Sequence, residues 1–353
     1  MPANFDDFKI AVESLSGGKN TVLLDDIGMP SVMFIQPKLL SSDIITGATQ
    51  TTHPAFILNS AELDKVAISK YINIVANGRA YSLPGQDPRG SIAWDASSAV
   101  CRAKGGGWGL IPFALWSAIA LWSRKNGTMP RGNNNYGADH AYPHEKGVPS
   151  TELDSSGRAQ KTATGSGPAT WNHNWQVDGI ADMNGNAWEW NSGVRLCTGE
   201  IQIIPYANSM DNACDMSLES SQWKAILPDG SLVSPDTAGT LKFDYVNNSW
   251  QISGETASLI NASRTGSITA ITAKNGVAVP QILKDLALYP AEPGGDYGND
   301  YIWINNTMGE SMGRRGGYWA DSSQPGVFAS SFSYERSRTT AYLGFRSAYY
   351  GPL

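Results

Sequence analysis

The chain has 353 residues, of which 41% are hydrophobic and only 16% are charged. This apolar fraction is ample for a globular core, and the 37 glycines and 12 tryptophans favour a fold rich in turns over a helical bundle. The net charge of −6 and the scattered basic residues argue against nucleic acid as a partner.

Residues 1–50 alternate short apolar runs with glycine and proline, which predicts a small strand-rich appendage before a main domain at 51–353. The first 15 residues carry acidic side chains where a signal peptide needs a basic start and an apolar run, so secretion through such a peptide is not expected. The most apolar window, residues 109–122, contains Pro112 and is too short to cross a bilayer. Membrane insertion is therefore not expected.

Two helices are predicted after this N-terminal part. The first runs from about Ile92 to Lys104 and ends at the three glycines 105–107, which accept the left-handed turn that ends a helix. The second begins near Pro112 and ends at residues 125–127. Its apolar residues follow the i, i+3, i+4, i+7 spacing of one buried stripe, formed by Leu115, Ala118, Ile119 and Trp122.

The second half of the chain is richer in loops. The string DGIADMNGNAWEWNSG, residues 178–193, contains an Asn-Gly tight turn and predicts a strand that begins at Trp188, with Trp188 and Trp190 on one face. Short strand candidates separated by Pro, Asp and Gly then indicate an insertion at about 198–300.

Five motifs follow one another in a set order: a W-D-A…C helix, the apolar helix, DMNGNAWEW, RGGYW and LGFR. This order resembles the branch of the C-type lectin fold that contains the formylglycine-generating enzymes, also called sulfatase-modifying factors. The resemblance implies an α+β fold with two helices, small antiparallel sheets and much irregular loop.

Residues at about 315–346 also resemble the variable region of the target proteins of diversity-generating retroelements. In that family a constant framework carries positions that are mutagenised to change what the protein binds. The framework residues that match here are Arg315, Gly316, Gly317, Trp319, Gly326, Phe328, Arg336, Ser337, Gly344, Phe345 and Arg346.

The pattern between the framework residues predicts a ligand-binding face. Side chains alternate along a strand, so Ala329, Ser331 and Ser333 are expected on an outer face, with Phe328 and Phe332 in the core. The same alternation places Arg338, Thr340 and Tyr342 together. Tyrosine and arginine supply contact area in binding faces, and serine supplies adaptable hydrogen bonds. The full predicted set is Tyr318, Ala320, Asp321, Ser323, Gln324, Ala329, Ser331, Ser333, Tyr334, Arg338, Thr340 and Tyr342.

An enzyme is not expected. The enzymes that the chain resembles hold copper through cysteines in the C-terminal segment, and this chain has no cysteine after Cys214. His140 and His144 have i, i+4 spacing, but Pro143 and the Asn/Gly-rich surroundings predict a loop, so no metal is assigned to them. The oxygen-rich segments 228–236 and 293–300 could hold a structural calcium ion, although neither has the spacing of a known calcium loop. No other cofactor is expected.

The favoured interpretation is a non-enzymatic protein that binds a receptor, which would be a protein or another molecule on a cell surface. The resemblance implies a location in a phage virion, associated with the tail, or on a bacterial surface. The alternatives are a sugar-binding or enzymatic member of the same superfamily and a purely structural virion protein. The sequence predicts no oligomeric state.

Overall fold

The structure is a computed structural model that describes residues 5–261 and 263–353. It shows a mixed α/β protein with few helices and several sheets. The α-helices within these residues are α1 Asp6–Ser16, α2 Ser41–Ile44, α3 Trp94–Arg102, α4 Phe113–Lys125 and α5 Gln281–Asp285.

The strands of the first half are β1 Asn20–Leu24, β2 Pro30–Pro37, β3 Ile57–Leu58, β4 Ala61–Glu62, β5 Lys65–Ser69, β6 Ile74–Ala76, β7 Arg79–Tyr81 and β8 Trp108–Leu110. The strands of the second half are β9 Trp188–Cys197, β10 Glu200–Ile203, β11 Lys224–Ile226, β12 Leu232–Val233, β13 Lys242–Val246, β14 Ser249–Ser253, β15 Arg264–Ser267, β16 Thr272–Ala273, β17 Tyr301–Ile304, β18 Ser311–Arg315, β19 Ser330–Phe332, β20 Leu343–Phe345 and β21 Ser347–Tyr349.

A five-stranded antiparallel sheet joins the two ends of the chain in the order β1-β2-β5-β21-β8. Residues 1–50, predicted as a strand-rich appendage, supply β1 and β2, and β2 pairs directly with β5. They also contain α1, which the sequence reading misses because its apolar residues Ile10 and Leu15 are exposed and form no buried stripe.

The larger sheet has the strand order β15-β17-β19-β18-β9-β10-β13-β14-β16, with β20 alongside β9, β11 beside β10 and β12 beside β11. Residues 198–300, predicted as an insertion, supply β10 to β16 of this sheet. The predicted strand at Trp188 is confirmed as β9, and Trp188 and Trp190 belong to one apolar cluster. The paired strands β18 and β19 lie beside β9 near the middle of the sheet, and β18 ends at the framework residue Arg315.

Both predicted helices are confirmed, and their ends agree within about two residues. The prediction of a single buried stripe on the second helix is wrong, because α4 is buried on every side from Phe113 to Leu121. The reason is its position: α4 packs against α2, α5, β9 and β18, so little of its surface reaches solvent. It is the central element of the main hydrophobic core.

Candidate ligand-binding face

Two consecutive glycines end β18 and turn the chain back on itself. Gly316 and Gly317 have φ angles of +93° and +82°, a left-handed conformation that only glycine adopts without strain. A Cβ atom on Gly317 would lie 2.1 Å from Cβ of Pro325. The loop of residues 318–326, the first loop, is therefore folded tightly onto the end of β18.

The other end of the first loop is fastened by a buried carboxyl group. Asp300 Oδ2 accepts the N–H of Phe328 at 2.7 Å, and a Cβ on Gly326 would lie only 2.0 Å from Asp300 Oδ1. Burial raises the pKa of Asp300 to about 7, while the hydrogen bond from Phe328 acts in the opposite direction. The glycine at position 326 is thus required by the close approach of Asp300.

Arg315 anchors the end of β18 in the main core. Its guanidinium donates to the carbonyl of Phe328 at 3.0 Å, to Ser117 Oγ at 2.7 Å and to the carbonyl of Leu286 at 2.8 Å. It also lies 3.9 Å from the ring centroid of Phe113. Arg315 therefore ties the start of the first loop to α4 and to the end of α5.

Arg346 anchors the segment between β20 and β21. It forms a two-pronged ion pair with Glu189, at 2.7 and 2.5 Å, and both side chains are fully buried. It also donates to the carbonyls of Ser69 and Ala181. This planar, doubly bonded geometry is the one arginine provides and lysine cannot.

Residues 333–342 form a second loop, and the expectation of a strand through Arg338, Thr340 and Tyr342 is wrong. The carbonyl of Thr340 accepts the N–H of Ser91 at 2.8 Å, and the carbonyl of Tyr342 accepts the N–H of Trp188 at 2.9 Å. The backbone of the second loop is thus bonded at separate points, to Ser91 and to the first residue of β9, rather than along a continuous strand ladder.

Three half-exposed tyrosines from the two loops meet on one surface, here named the tyrosine face: Tyr318, Tyr334 and Tyr342. The rings of Tyr318 and Tyr342 stack with centroids 4.4 Å apart, and the hydroxyls of Tyr334 and Tyr342 are 2.7 Å apart. The buried Trp319 packs edge-on beneath Tyr318 at 5.3 Å. Arg338 is exposed beside the ring of Tyr334, at 4.9 Å. All three tyrosines and Arg338 belong to the predicted set, although Tyr342 and Arg338 lie in a loop rather than on the predicted strand.

Residues 328–332, which lead into and form β19, show the expected alternation but not the expected exposure. Phe328 and Phe332 enter the main core, as predicted, while Ala329 points to the opposite side and is completely buried in the second apolar cluster. Ser331 is also completely buried. The expectation that Ala329 and Ser331 lie on an outer face is therefore wrong.

The covering of Ser331 follows from the register of the sheet. Ser331 lies between Arg314 of β18 and Trp303 of β17, which are its direct cross-strand neighbours. Directly opposed residues point to the same side of a sheet, so these larger side chains enclose the small serine. Its hydroxyl is 3.1 Å from that of Ser333, which is half-buried at the edge of the same side.

The remaining predicted residues lie around the tyrosine face. Ser323 is exposed, whereas Ala320, Gln324 and Thr340 are half-buried. Asp321 Oδ2 accepts the N–H of Tyr318 at 3.1 Å, and burial raises the pKa of Asp321 to about 7. Asp321 therefore shapes the first loop as well as bordering the face.

The sequence reading misses two residues that support the face, Arg314 and Trp303. Arg314 stacks on the ring of Tyr334 at 3.4 Å and donates to Ser333 Oγ at 3.3 Å. Trp303 packs edge-to-face against Trp188 at 5.2 Å. The string YIWI, which alternates aromatic and aliphatic residues, is a signal from which Trp303 could have been found.

The groups considered for metal and thiol chemistry lie elsewhere. Cys101, Cys197 and Cys214 are free, and burial raises the pKa of the Cys197 and Cys214 thiols to about 11. His140 and His144 lie in an exposed loop. Within residues 5–261 and 263–353, no cluster of three or more His, Cys, Asp or Glu side chains could hold a metal ion. In the same residues no helix is long and apolar enough to cross a membrane.

No protein-family model and no curated protein matches the sequence. Three solved structures are similar over most of the chain. The Major Tropism Determinant P3c variant has 11% identity and a TM-score of 0.32, over 94% of this chain and 71% of its own. Treponema denticola variable protein 1 has 10% identity and a TM-score of 0.33, over 94% and 98%. PvdO from Pseudomonas aeruginosa has 14% identity and a TM-score of 0.29, over 93% and 97%. Similarities at this level do not assign a family or an activity to the chain.

Proposed function

We propose that this chain is a non-enzymatic ligand-binding protein with a C-type lectin fold, and that its tyrosine face binds a protein or another molecule on a cell surface. We further propose that it is a target protein of a diversity-generating retroelement, located in a phage tail or on a bacterial surface. The observation that carries the proposal is the convergence of Tyr318, Tyr334 and Tyr342 from two loops onto one surface.

The physical support lies in how the two loops are held. Arg315, the Gly317–Pro325 contact and the Asp300–Gly326 contact fix the first loop, and scaffold hydrogen bonds fix the second. A binding surface on a fixed backbone loses less conformational entropy when a ligand binds. Tyrosine adds large contact area with only two side-chain torsions to order. Rigid loops that present tyrosine side chains therefore favour a ligand-binding role over a purely structural one.

The state of the thiols supports a non-enzymatic role. Thiolate, rather than thiol, is the reactive form of cysteine. Burial raises the pKa of Cys101 well above its usual value and that of Cys197 and Cys214 to about 11, so all three side chains are neutral at physiological pH. None of them lies in the two loops.

The decisive experiment compares how two triple variants bind to candidate host cells. Both variants have three side chains truncated to alanine. Tyr318→Ala, Tyr334→Ala and Arg338→Ala change the tyrosine face, whereas Tyr142→Ala, Tyr206→Ala and Lys65→Ala change exposed residues elsewhere. We expect the first variant alone to lose cell binding, with thermal melting of both close to that of the parent protein. Equal binding by both would contradict the proposal and would favour a purely structural virion protein. Retained binding that is abolished by a free sugar would favour a sugar-binding member of the superfamily.

Diversification is tested at the gene. A retroelement predicts a template repeat near the gene with adenines at the codons of the mutable positions. The burial pattern sharpens this expectation: adenines should fall at codons for loop residues such as Tyr318, Asp321 and Tyr342, and should spare those for Ala329 and Ser331. The absence of such a repeat would contradict diversification by a retroelement. It would not contradict ligand binding, which the cell-binding experiment tests separately.

A further inference from the structure

A second candidate site lies on elements that do not contribute to the tyrosine face. A cavity of about 390 Å³ opens between the α1–β1 turn, β2 and α4. We name it the His173 cavity. Its apolar and aromatic lining consists of Phe34, Ile35, Leu39, Trp122 and His173. Both its volume and its lining are in the range of cavities that bind small organic molecules.

His173 presents one polar group to this apolar lining. The residue is 2% exposed, and its ring packs against Phe34 at 4.9 Å and against Trp122 at 5.4 Å. Its Nδ1 accepts the N–H of Ile180 at 2.8 Å. Burial lowers the pKa of His173 to about 3, so the ring is neutral at physiological pH and carries its proton on Nε2. Among the described residues no acceptor bonds to that Nε2–H.

The polar residues at the rim of the cavity already have partners. Lys19 Nζ pairs with Asp178 Oδ2 at 2.9 Å, and Asn174 Nδ2 donates to Asp178 Oδ1 at 2.7 Å. Gln36 Nε2 donates to the carbonyl of Pro37 at 2.9 Å. The Nε2–H of His173 is therefore a lining donor that belongs to a side chain only 2% exposed and that has no hydrogen-bond partner within the described residues. An acceptor supplied by a ligand would give this donor a hydrogen bond in a site largely shielded from water.

We propose that the His173 cavity binds a small molecule with an aromatic or branched aliphatic body and one carboxylate or carbonyl oxygen, which accepts the Nε2–H of His173. The apolar body fills the space between Phe34, Leu39 and Trp122. The hydrogen bond to His173 orients the molecule and selects it over a hydrocarbon of the same shape. This site is separate from the tyrosine face, so its occupant and the cell-surface ligand are different.

The test uses two probes of similar shape, 1-naphthoate and 1-methylnaphthalene, and measures their binding to the full chain by ligand-observed NMR. Leu39→Trp should fill the cavity and abolish the binding of both probes. Leu153→Trp is the matched control, because it adds the same side chain at an exposed position elsewhere in the chain. His173→Asn keeps an acceptor for the N–H of Ile180 but removes the deep donor. It should weaken the binding of 1-naphthoate by roughly tenfold and leave that of 1-methylnaphthalene unchanged.

Thermal melting of each variant shows whether it is folded. If His173→Asn does not fold, Leu39→Trp and its control still decide whether the cavity is the site. Failure of both probes to bind the parent protein, or equal binding by the Leu39→Trp and Leu153→Trp variants, would overturn the proposal. An equal loss for both probes in folded His173→Asn would overturn the role of the hydrogen bond and hence the selection for an acceptor. None of these outcomes depends on the tyrosine face.

Discussion

Two consecutive arginines, Arg314 and Arg315, end the same strand and enter opposite sides of the sheet. Arg315 is fully buried in the main core, where hydrogen bonds to three acceptors leave only its Nε without a partner in the described chain. Arg314 is almost as deeply buried, yet it makes one long hydrogen bond to Ser333, and its Nε and Nη1 have no partner in those same residues. Its main contact is the ring of Tyr334.

The difference shows how the two sides of the sheet are built. The core side is fixed by directional hydrogen bonds between the framework and the scaffold, which specify one backbone position. The loop side is packed by stacking of aromatic and guanidinium planes, which tolerates a change of partner more easily because it is less directional. A face that is to accept different side chains needs directional hydrogen bonds beneath it, to fix the backbone, and stacking contacts within it, which tolerate a change of side chain.

The largest expected effect comes from removing each arginine in turn. Arg315→Met should lower the free energy of unfolding by about 3 kcal/mol, because it leaves the buried carbonyl of Phe328 without its donor and weakens the bonding of Leu286 and Ser117. Arg314→Met should cost less than about 1 kcal/mol, because the lost stacking is offset by relief from burying unpaired donors. Urea unfolding of both variants measures the difference. Equal losses would show that the two sides are stabilised in the same way.

The pH dependence of stability tests the core side in a second way. Asp300 has a pKa of about 7 when folded and an ordinary value of 3.8, so the folded protein holds a proton there that the unfolded chain has already released. The free energy of unfolding should therefore fall as pH rises between about 4 and 7, by up to about 1.4 kcal/mol per pH unit for this group. Asp300→Asn should reduce that slope because the amide does not titrate. Its oxygen can still accept the N–H of Phe328, so the local hydrogen bond is kept.

The control for this measurement is Asp64→Asn, which changes an exposed carboxylate. It should leave the slope as in the parent protein. Part of the slope should persist in Asp300→Asn, because burial also raises the pKa of Asp321 to about 7 and of Asp182 to about 6. A slope identical in Asp300→Asn and the parent protein would contradict the prediction and would mean that Asp300 is ionised in the fold.

The comparison also explains which parts of the molecule the sequence could predict. The helices α3 and α4 and the start of β9 are confirmed because caps, glycines and apolar spacing act over a few residues. The same local pattern correctly separates Phe328 and Phe332 from Ala329. It could not show that Ala329 faces a second core, because that depends on Trp188, which is distant in the sequence.

The candidate site shows the same limit. Tyrosines 318, 334 and 342 could be found from composition between framework residues, but the second loop could not be distinguished from a strand. Its backbone is satisfied by Ser91 and Trp188, and pairing of that kind leaves no local signal in the sequence. The sequence does not identify Arg314 as a residue that supports the face, because the RGGYW motif begins only at Arg315. The side to which Arg314 points follows from the register of β18 against β19.

The smallest expected effect concerns the loop side alone and is produced by Tyr334→Phe. The substitution keeps the ring that stacks on Arg314 and removes only the hydroxyl that bonds to Tyr342. We expect a loss of less than about 1 kcal/mol in the free energy of unfolding, since one half-exposed hydrogen bond is removed. Burial, followed by the hydrogen bond to Tyr334, raises the pKa of Tyr342, so the variant should bring that pKa partly back towards its usual value. NMR titration of the tyrosine rings measures this shift, with the exposed Tyr206→Phe as the control. A loss as large as that of Arg315→Met would mean that the tyrosine face stabilises the fold, and substitution at its positions would then be limited by stability.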